Sequence, residues 1–136
     1  MYGYLKGIMH GDLYAHNILC SVDGTPLLTD FGAASFVKGR VGAGLHSSVR
    51  ADLLEKLEVR AFGCLVDDML GCMYAEEEKN AHVEVTVRTE VRVRALLGLR
   101  ELQNRCFLPD VEARPDFATI FKELEEVAAI SSDLII

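Results

Sequence analysis

Two aspartates and an asparagine stand at fixed offsets near the start of the chain, and together they could hold a metal-bound phosphate. Asp12 precedes Asn17 by five residues, and Asp30 follows Asn17 by thirteen. All three lie in the stretch from His10 to Gly32, HGDLYAHNILCSVDGTPLLTDFG. Oxygen groups converging on one point suit a hard cation such as Mg²⁺, which accepts one or two protein ligands beside phosphate oxygens. Singly, each residue also has a structural reading. Asp12 could cap its own loop, and Asn17 and Asp30 could cap strand ends.

Positioning these groups requires a tight turn. Asn17-Ile18-Leu19-Cys20 and Leu27-Leu28-Thr29 are short apolar runs, with Asp23-Gly24 between them and Pro26 just before the second. An apolar run, a Gly/Pro turn and a second apolar run predict a β-hairpin. A hairpin brings its ends together, so Asn17 and Asp30 should lie side by side. Asp12, on the loop leading in, can face the same space.

His-Gly-Asp, then Leu-Tyr-Ala-His-Asn, then Asp-Phe-Gly resembles the catalytic loop and magnesium loop of protein kinases. Two later segments carry the same resemblance in the same order. Leu57 to Leu65, LEVRAFGCL, resembles the start of that family's buried central helix. Cys106-Phe107-Leu108-Pro109-Asp110 through Arg114-Pro115-Asp116-Phe117 resembles the segment near its end. The resemblance implies a mainly α (α+β) fold, a protein kinase-like C-terminal lobe with a small β-hairpin at the active site. It assigns residues 1–130 to a partial kinase domain and 131–136 to a tail. Within the domain fall a catalytic loop at 10–17, the DFG triplet at 30–32, an activation segment at 33–54, a central helix over about 53–74 and a last helix over about 116–129.

Carried over by position, Asp12 resembles the catalytic aspartate that accepts the substrate hydroxyl proton. Asn17 and Asp30 resemble the magnesium ligands that hold ATP. His10, Phe31, Gly32, Glu58 and Arg114 resemble structural positions. The implied activity is transfer of the γ-phosphoryl of ATP to a protein hydroxyl, serine or threonine ahead of tyrosine. The cofactors are ATP and Mg²⁺, and the partner is a protein substrate. Only the large lobe is matched: no G-x-G-x-x-G or V-A-I-K motif precedes the catalytic loop. The small lobe is therefore expected to be missing, and the chain alone to be inactive. A noncatalytic, pseudokinase-like interaction module or truncated paralogue is the alternative.

Several departures from the family pattern matter. Gly11 stands where many protein kinases have an arginine that reads a phosphate on the activation loop. Tyr14 stands where serine/threonine kinases carry a lysine near the transferred phosphate, and Ala15-His16 does not restore the tyrosine-kinase pattern. Lost positive charge beside a developing negative charge should slow transfer. Glu58 replaces an aspartate that holds the catalytic-loop backbone, and Arg60 replaces a tryptophan. The APE triplet is absent, so the glutamate that pairs with the arginine at 114 must come from elsewhere, Glu55 or Glu58 being the candidates.

The remaining chain supplies elements and bounds. Val59, Phe62, Val66, Met69 and Met73 repeat at helical steps, and Gly63 and Gly71 should allow close packing. Residues 76–82 read as a charged loop and Val83 to Arg88 alternates like a strand. A helix is expected from about Arg92. Arg88, Arg92, Arg94, Arg100 and Arg105 could form a basic face, although a solvated helix face is the simpler account. Phe117, Ile120, Leu124 and Val127 form the apolar face of the last helix, which Pro115 and Asp116 begin. Gly39, Gly42 and Gly44 read as a mobile loop, and Ser47 and Ser48 as exposed loop serines.

Composition narrows the class. Half the residues are apolar, enough for a core. No run approaches the roughly twenty apolar residues of a membrane span, and the N-terminus lacks a signal peptide's apolar region. The formal charge of −7 argues against nucleic-acid binding. Cys20, Cys64, Cys72 and Cys106 lack CxxC spacing and read as reduced core thiols, which makes a cytoplasmic setting the default expectation.

Overall fold

Residues 8–36, 46–79 and 87–132 are described by the computed structural model. Three helices carry the core, and two small antiparallel strand pairs carry the His10–Gly32 stretch. The fold is mainly α with a β-hairpin, as the sequence implies. The predicted hairpin pairs β2 (Ile18–Cys20) with β3 (Pro26–Leu28), in the register Ile18↔Leu28, Leu19↔Leu27 and Cys20↔Pro26.

Its loop is built by Asp23-Gly24. Gly24 N–H donates to Ser21 O at 2.9 Å, and Thr25 N–H donates to Asp23 Oδ1 at 3.1 Å. The Ser21 hydroxyl also donates to the Asp23 carboxylate, which with the Thr25 bonds holds the Asp23 carboxyl below its ordinary value. A second pair, β1 (Ile8–Met9) with β4 (Ser35–Phe36), closes the segment from its two ends.

Helix α1 spans His46–Lys79. It is longer than the expected 53–74 at both ends. Residues 46–54, expected in the activation segment, are helical, and so are 76–79, expected in a loop. Neither extension contains glycine or proline, and Glu76-Glu77-Glu78-Lys79 are good helix formers. Ser47 and Ser48 therefore lie on helical backbone. Gly39, Gly42 and Gly44 fall outside the described residues.

Helix α2 spans Val87–Cys106. Val87 and Arg88, expected to be strand, open this helix, and 83–86 fall outside the described residues. Glu90 in its first turn complements the helix dipole, and α2 ends as Pro109 approaches. Helix α3 spans Phe117–Ser132. Asp116 Oδ1 accepts Thr119 N–H at 2.7 Å, an N-cap that also lowers the Asp116 carboxyl.

The core lies along α2. Val59, Leu102, Cys106, Phe117 and Ile120 form one buried cluster, and Val66, Leu70 and Leu96 form another. Phe62 packs against both and meets Phe117 edge-on at 6.2 Å. The expected face of α1 needs one correction: Met69 is 54% exposed and Leu70 is fully buried. On the helical wheel 69 and 70 lie at opposite edges of the face formed by 62, 66 and 73, and α2 packs on the edge that carries 70. Along α3 the expected face is the observed one, with Phe117 and Ile120 buried and Leu124 packed on the first cluster.

The four cysteines are free, but only Cys106 is buried. Cys20 and Cys72 are exposed, because Cys20 lies in a two-stranded hairpin with an open face and Cys72 on the outer side of α1. Burial pushes the Cys106 thiol up to about 11.

At Gly63 the end of α2 lies close against α1. A Cβ there would lie 2.8 Å from Cys106 Cβ and 3.3 Å from Phe107 Cε1, whereas at Gly71 it would meet nothing within 4 Å. Close packing thus belongs to Gly63 alone of the two. Gly63→Ala should lower unfolding stability by about 1–2 kcal/mol through overpacking. Gly71→Ala should raise it by up to ~1 kcal/mol through helix propensity. Urea denaturation of the two variants checks both signs.

Two of the α2 arginines are engaged by side chains of neighbouring helices. Arg100 bonds Asp67 on α1 at 2.9 Å and Gln103 at 3.1 Å, and Arg105 is ion-paired with Glu123 on α3. Arg60 lies over the Phe107 ring at 5.4 Å in a cation–π contact. Among the described residues, no helix is long and apolar enough to cross a membrane.

Candidate active site

The site is assembled between two short turns. Residues Ala15–Asn17 form a 3₁₀ turn that leads straight into β2, and Phe31–Ala33 form another just after β3. The first turn is closed by Asn17 N–H to Tyr14 O at 3.0 Å. It buries Asn17 to 5% exposure while Asp12 and Asp30 stay exposed.

Asn17 and Asp12 are joined directly. Asn17 Nδ2 donates to Asp12 O at 2.9 Å and to Asp12 Oδ2 at 3.0 Å. Both partners are acceptors, which fixes the amide orientation and turns Asn17 Oδ1 away from Asp12. The hairpin brings in the third residue. Thr29 N–H and its hydroxyl both donate to Asn17 O, at 2.8 and 3.0 Å, and Asp30 follows directly in the chain.

Asp30 is the single non-glycine residue with positive φ among the described residues, at φ 55° and ψ 70°. Aspartate tolerates this left-handed region better than most residues, at a cost of about 1 kcal/mol, and such conformations concentrate at functional sites. Its carboxylate is steadied by Gly32 N–H at 3.2 Å, and a Cβ on Gly32 would crowd that same oxygen at 3.1 Å.

His10 ties the two turns together. Its Nδ1 accepts Asp12 N–H at 3.3 Å and its Nε2 meets Thr29 O at 2.9 Å, a pair of bonds that selects the Nε2–H tautomer. The Phe31 ring stands edge-on to the imidazole with centroids 4.8 Å apart. Its own surface is 57% exposed. Tyr14 and His16 project from the first turn in mutual ring contact at 4.6 Å, both exposed.

Glu58 on α1 anchors the loop from below. Its Oε1 accepts the backbone N–H of His10 at 2.8 Å and of Gly11 at 3.3 Å, so the longer side chain does reach the loop. The partner of Arg114 differs from expectation. Glu58 is committed to the loop, and Glu55 accepts Phe117 N–H at 2.9 Å, capping α3 from α1. Arg114 instead donates to backbone carbonyls, Nε to Leu108 O at 2.9 Å and Nη1 to Lys56 O at 3.2 Å. Lys56 Nζ returns a bond to Arg114 O. The guanidinium is charge-assisted without needing a carboxylate.

The segment 8–36 contains no lysine or arginine, so Asp12 and Asp30 face solvent without a covering cation of their own segment. The donor set fits magnesium: Asn17 Oδ1 and the Asp30 carboxylate are hard oxygens, and that ion needs few protein ligands when phosphate supplies the rest. No three His, Cys, Asp or Glu side chains gather into a closed cage among the described residues, which is unlike a structural zinc or calcium site.

Two contributors were not read from the sequence. Thr29 stitches the hairpin to both Asn17 and His10, and Ala33 packs its carbonyl against Gly11. A threonine immediately before Asp30 was the available signal for the first, and no sequence signal marks the second.

No protein-family model matches the chain. A serine/threonine-protein kinase of Caenorhabditis elegans is 28% identical to it over 129 residues, covering 85% of this chain and 13% of that kinase. The chain therefore spans a small part of the length of the relative it resembles.

Proposed function

We propose that residues 10–32 are the catalytic segment of a protein kinase-type phosphotransferase that moves the γ-phosphoryl of ATP to a serine or threonine hydroxyl of a protein, in the cytoplasm. The observation that carries this reading is the pair of bonds from the Asn17 amide to Asp12, made at the start of the hairpin whose other strand leads to Asp30. The similarity to a serine/threonine-protein kinase supports it.

In this reading Asp12 orients the hydroxyl and takes its proton as the new P–O bond forms and the bond to the β-phosphate oxygen breaks. Asn17 and Asp30 are the residues that would hold Mg²⁺, which supplies charge neutralisation on the phosphates when bound. His10 keeps the two turns in register. Tyr14, in place of a lysine, leaves the transferred phosphoryl with less positive charge, so turnover in the complete domain should be slow.

The second reading is a noncatalytic module that binds a protein partner. The absence of any lysine or arginine from residues 8–36 favours it. Titrating the isotope-labelled chain with Mn²⁺ and ATP separates the two, because paramagnetic broadening detects even sparse occupancy. The expected result is broadening of the Asn17 and Asp30 amide signals that requires both metal and nucleotide, with Asp30→Asn weakening binding at least about tenfold, or ~1.4 kcal/mol. Unbroadened signals at those two residues, or broadening indifferent to Asp30→Asn, would leave the phosphotransferase reading without its site and favour the interaction module.

A further inference from the structure

Glu58 is 7% exposed, and the two oxygens of its carboxyl are in different situations. Oε1 accepts two backbone N–H groups of the site loop, while Oε2 is buried with no hydrogen-bond partner among the described residues. A carboxylate in that position would keep half its charge on a buried oxygen without a hydrogen-bond partner among the described residues, which is costly. A proton on Oε2 removes the cost and leaves Oε1 free to accept both amides.

We propose that Glu58 is a proton-dependent anchor: with a proton on Oε2 it holds His10 and Gly11 firmly, and on losing that proton to solvent it loosens the loop that carries Asp12. Glu58 is thus a positioning residue, acting on Asp12 through the loop backbone. Its bearing on phosphoryl transfer rests on the reading above, but the anchor itself does not.

The charges that face Glu58 oppose this arrangement without overturning it. The bonds from His10 and Gly11 N–H favour the ionised form, as does the His10 side chain on the loop. Burial outweighs them and raises the carboxyl above its ordinary 4.5. The sign follows by linkage. The anchored state has the higher carboxyl pKa, so between 4.5 and that raised value it binds more protons than a state in which Glu58 reaches water. Anchoring is therefore fully favoured at low pH and weakens as pH rises through the window, by up to about tenfold per pH unit.

The test uses the 136-residue chain without nucleotide. The Glu58 side-chain carboxyl is followed by carbon NMR against pH, and amide exchange is measured at His10 and Gly11 after correction for intrinsic rates. The expected results are a Glu58 midpoint above 4.5 and protection that falls as pH rises through that midpoint. Glu58→Gln keeps an acceptor oxygen but has no proton to lose, so its protection should be flat with pH. A Glu58 midpoint at or below the ordinary value, or flat protection in the unaltered chain, overturns the proposal. Should Glu58→Gln fail to fold, the two measurements on the unaltered chain still decide. Neither depends on whether the chain binds ATP, so failure here is distinct from failure of the phosphotransferase reading.

Discussion

Gly11→Ala and Gly11→Arg are each expected to cost about 3 kcal/mol of unfolding stability, and neither should gain activity. Gly11 sits at φ +81°, in the region where an L side chain costs about 1–2 kcal/mol. It also has no room: a Cβ would lie 2.5 Å from Ala33 O and 3.2 Å from Ala33 C. Both are backbone atoms, so relief requires moving the Phe31–Ala33 turn. That turn is tied by Ala34 N–H to Phe31 O and by Gly32 N–H to Asp30, and it would carry Asp30 with it.

Gly24 provides the control. Its φ of +83° is nearly the same, but a Cβ there would meet nothing within 4 Å. Gly24→Ala should therefore cost only the conformational part, about 1 kcal/mol. Urea denaturation of the three variants measures the difference, and equal losses at both glycines would show that contact with Ala33 carries no weight. An arginine at position 11 would meet the same obstacle, because this backbone has no room for a side chain there.

Arg114→Leu should cost about 3–4 kcal/mol and lower Tm by roughly 10 °C, read by thermal denaturation. The side chain is 7% exposed and donates to Leu108 O and Lys56 O, linking the loop after α2 to α1. Leucine fills the space but leaves the half-buried Leu108 carbonyl without that donor. Arg114→Lys should recover about half the loss, since one ammonium cannot span both carbonyls as the planar fork does. A fully stable Arg114→Leu variant would mean that the carbonyls find water and that the fork is dispensable.

The parts of this protein that local chemistry determines were legible in its sequence. Asp23-Gly24 between two apolar runs is a hairpin signal, and the observed register agrees with it. Pro115-Asp116 followed by Phe117, Ile120 and Leu124 marks the start and the face of α3. What distant partners decide was not legible. Met69 and Leu70 are both apolar and adjacent, and only the position of α2 selects Leu70 for burial. Glu55 and Glu58 both suited Arg114 on charge, yet three-dimensional reach sends one to α3 and the other to the site loop. Gly63 and Gly71 look alike in sequence, and the crossing of α2 near Cys106 distinguishes them.

At the site, the hairpin pattern put Asn17 near the residue before Asp30, and Thr29 does bond Asn17 O, but the direct bonds from Asn17 to Asp12 were not read from the spacing. The contact between Gly11 and Ala33 joins residues far apart in the chain through a backbone carbonyl. No pattern of side-chain types encodes such a contact.

The turn of α1 from Glu55 to Val59 makes contacts in three directions: Glu55 to α3, Lys56 and its carbonyl to Arg114, and Glu58 to the loop, with Val59 filling the core. The strand pairs of residues 8–36 are too small to be stable alone. Among the described residues, the hydrogen bonds that hold them to the helices come from Glu58 of that turn, so the segment should open more readily than the three-helix body and show lower amide-exchange protection.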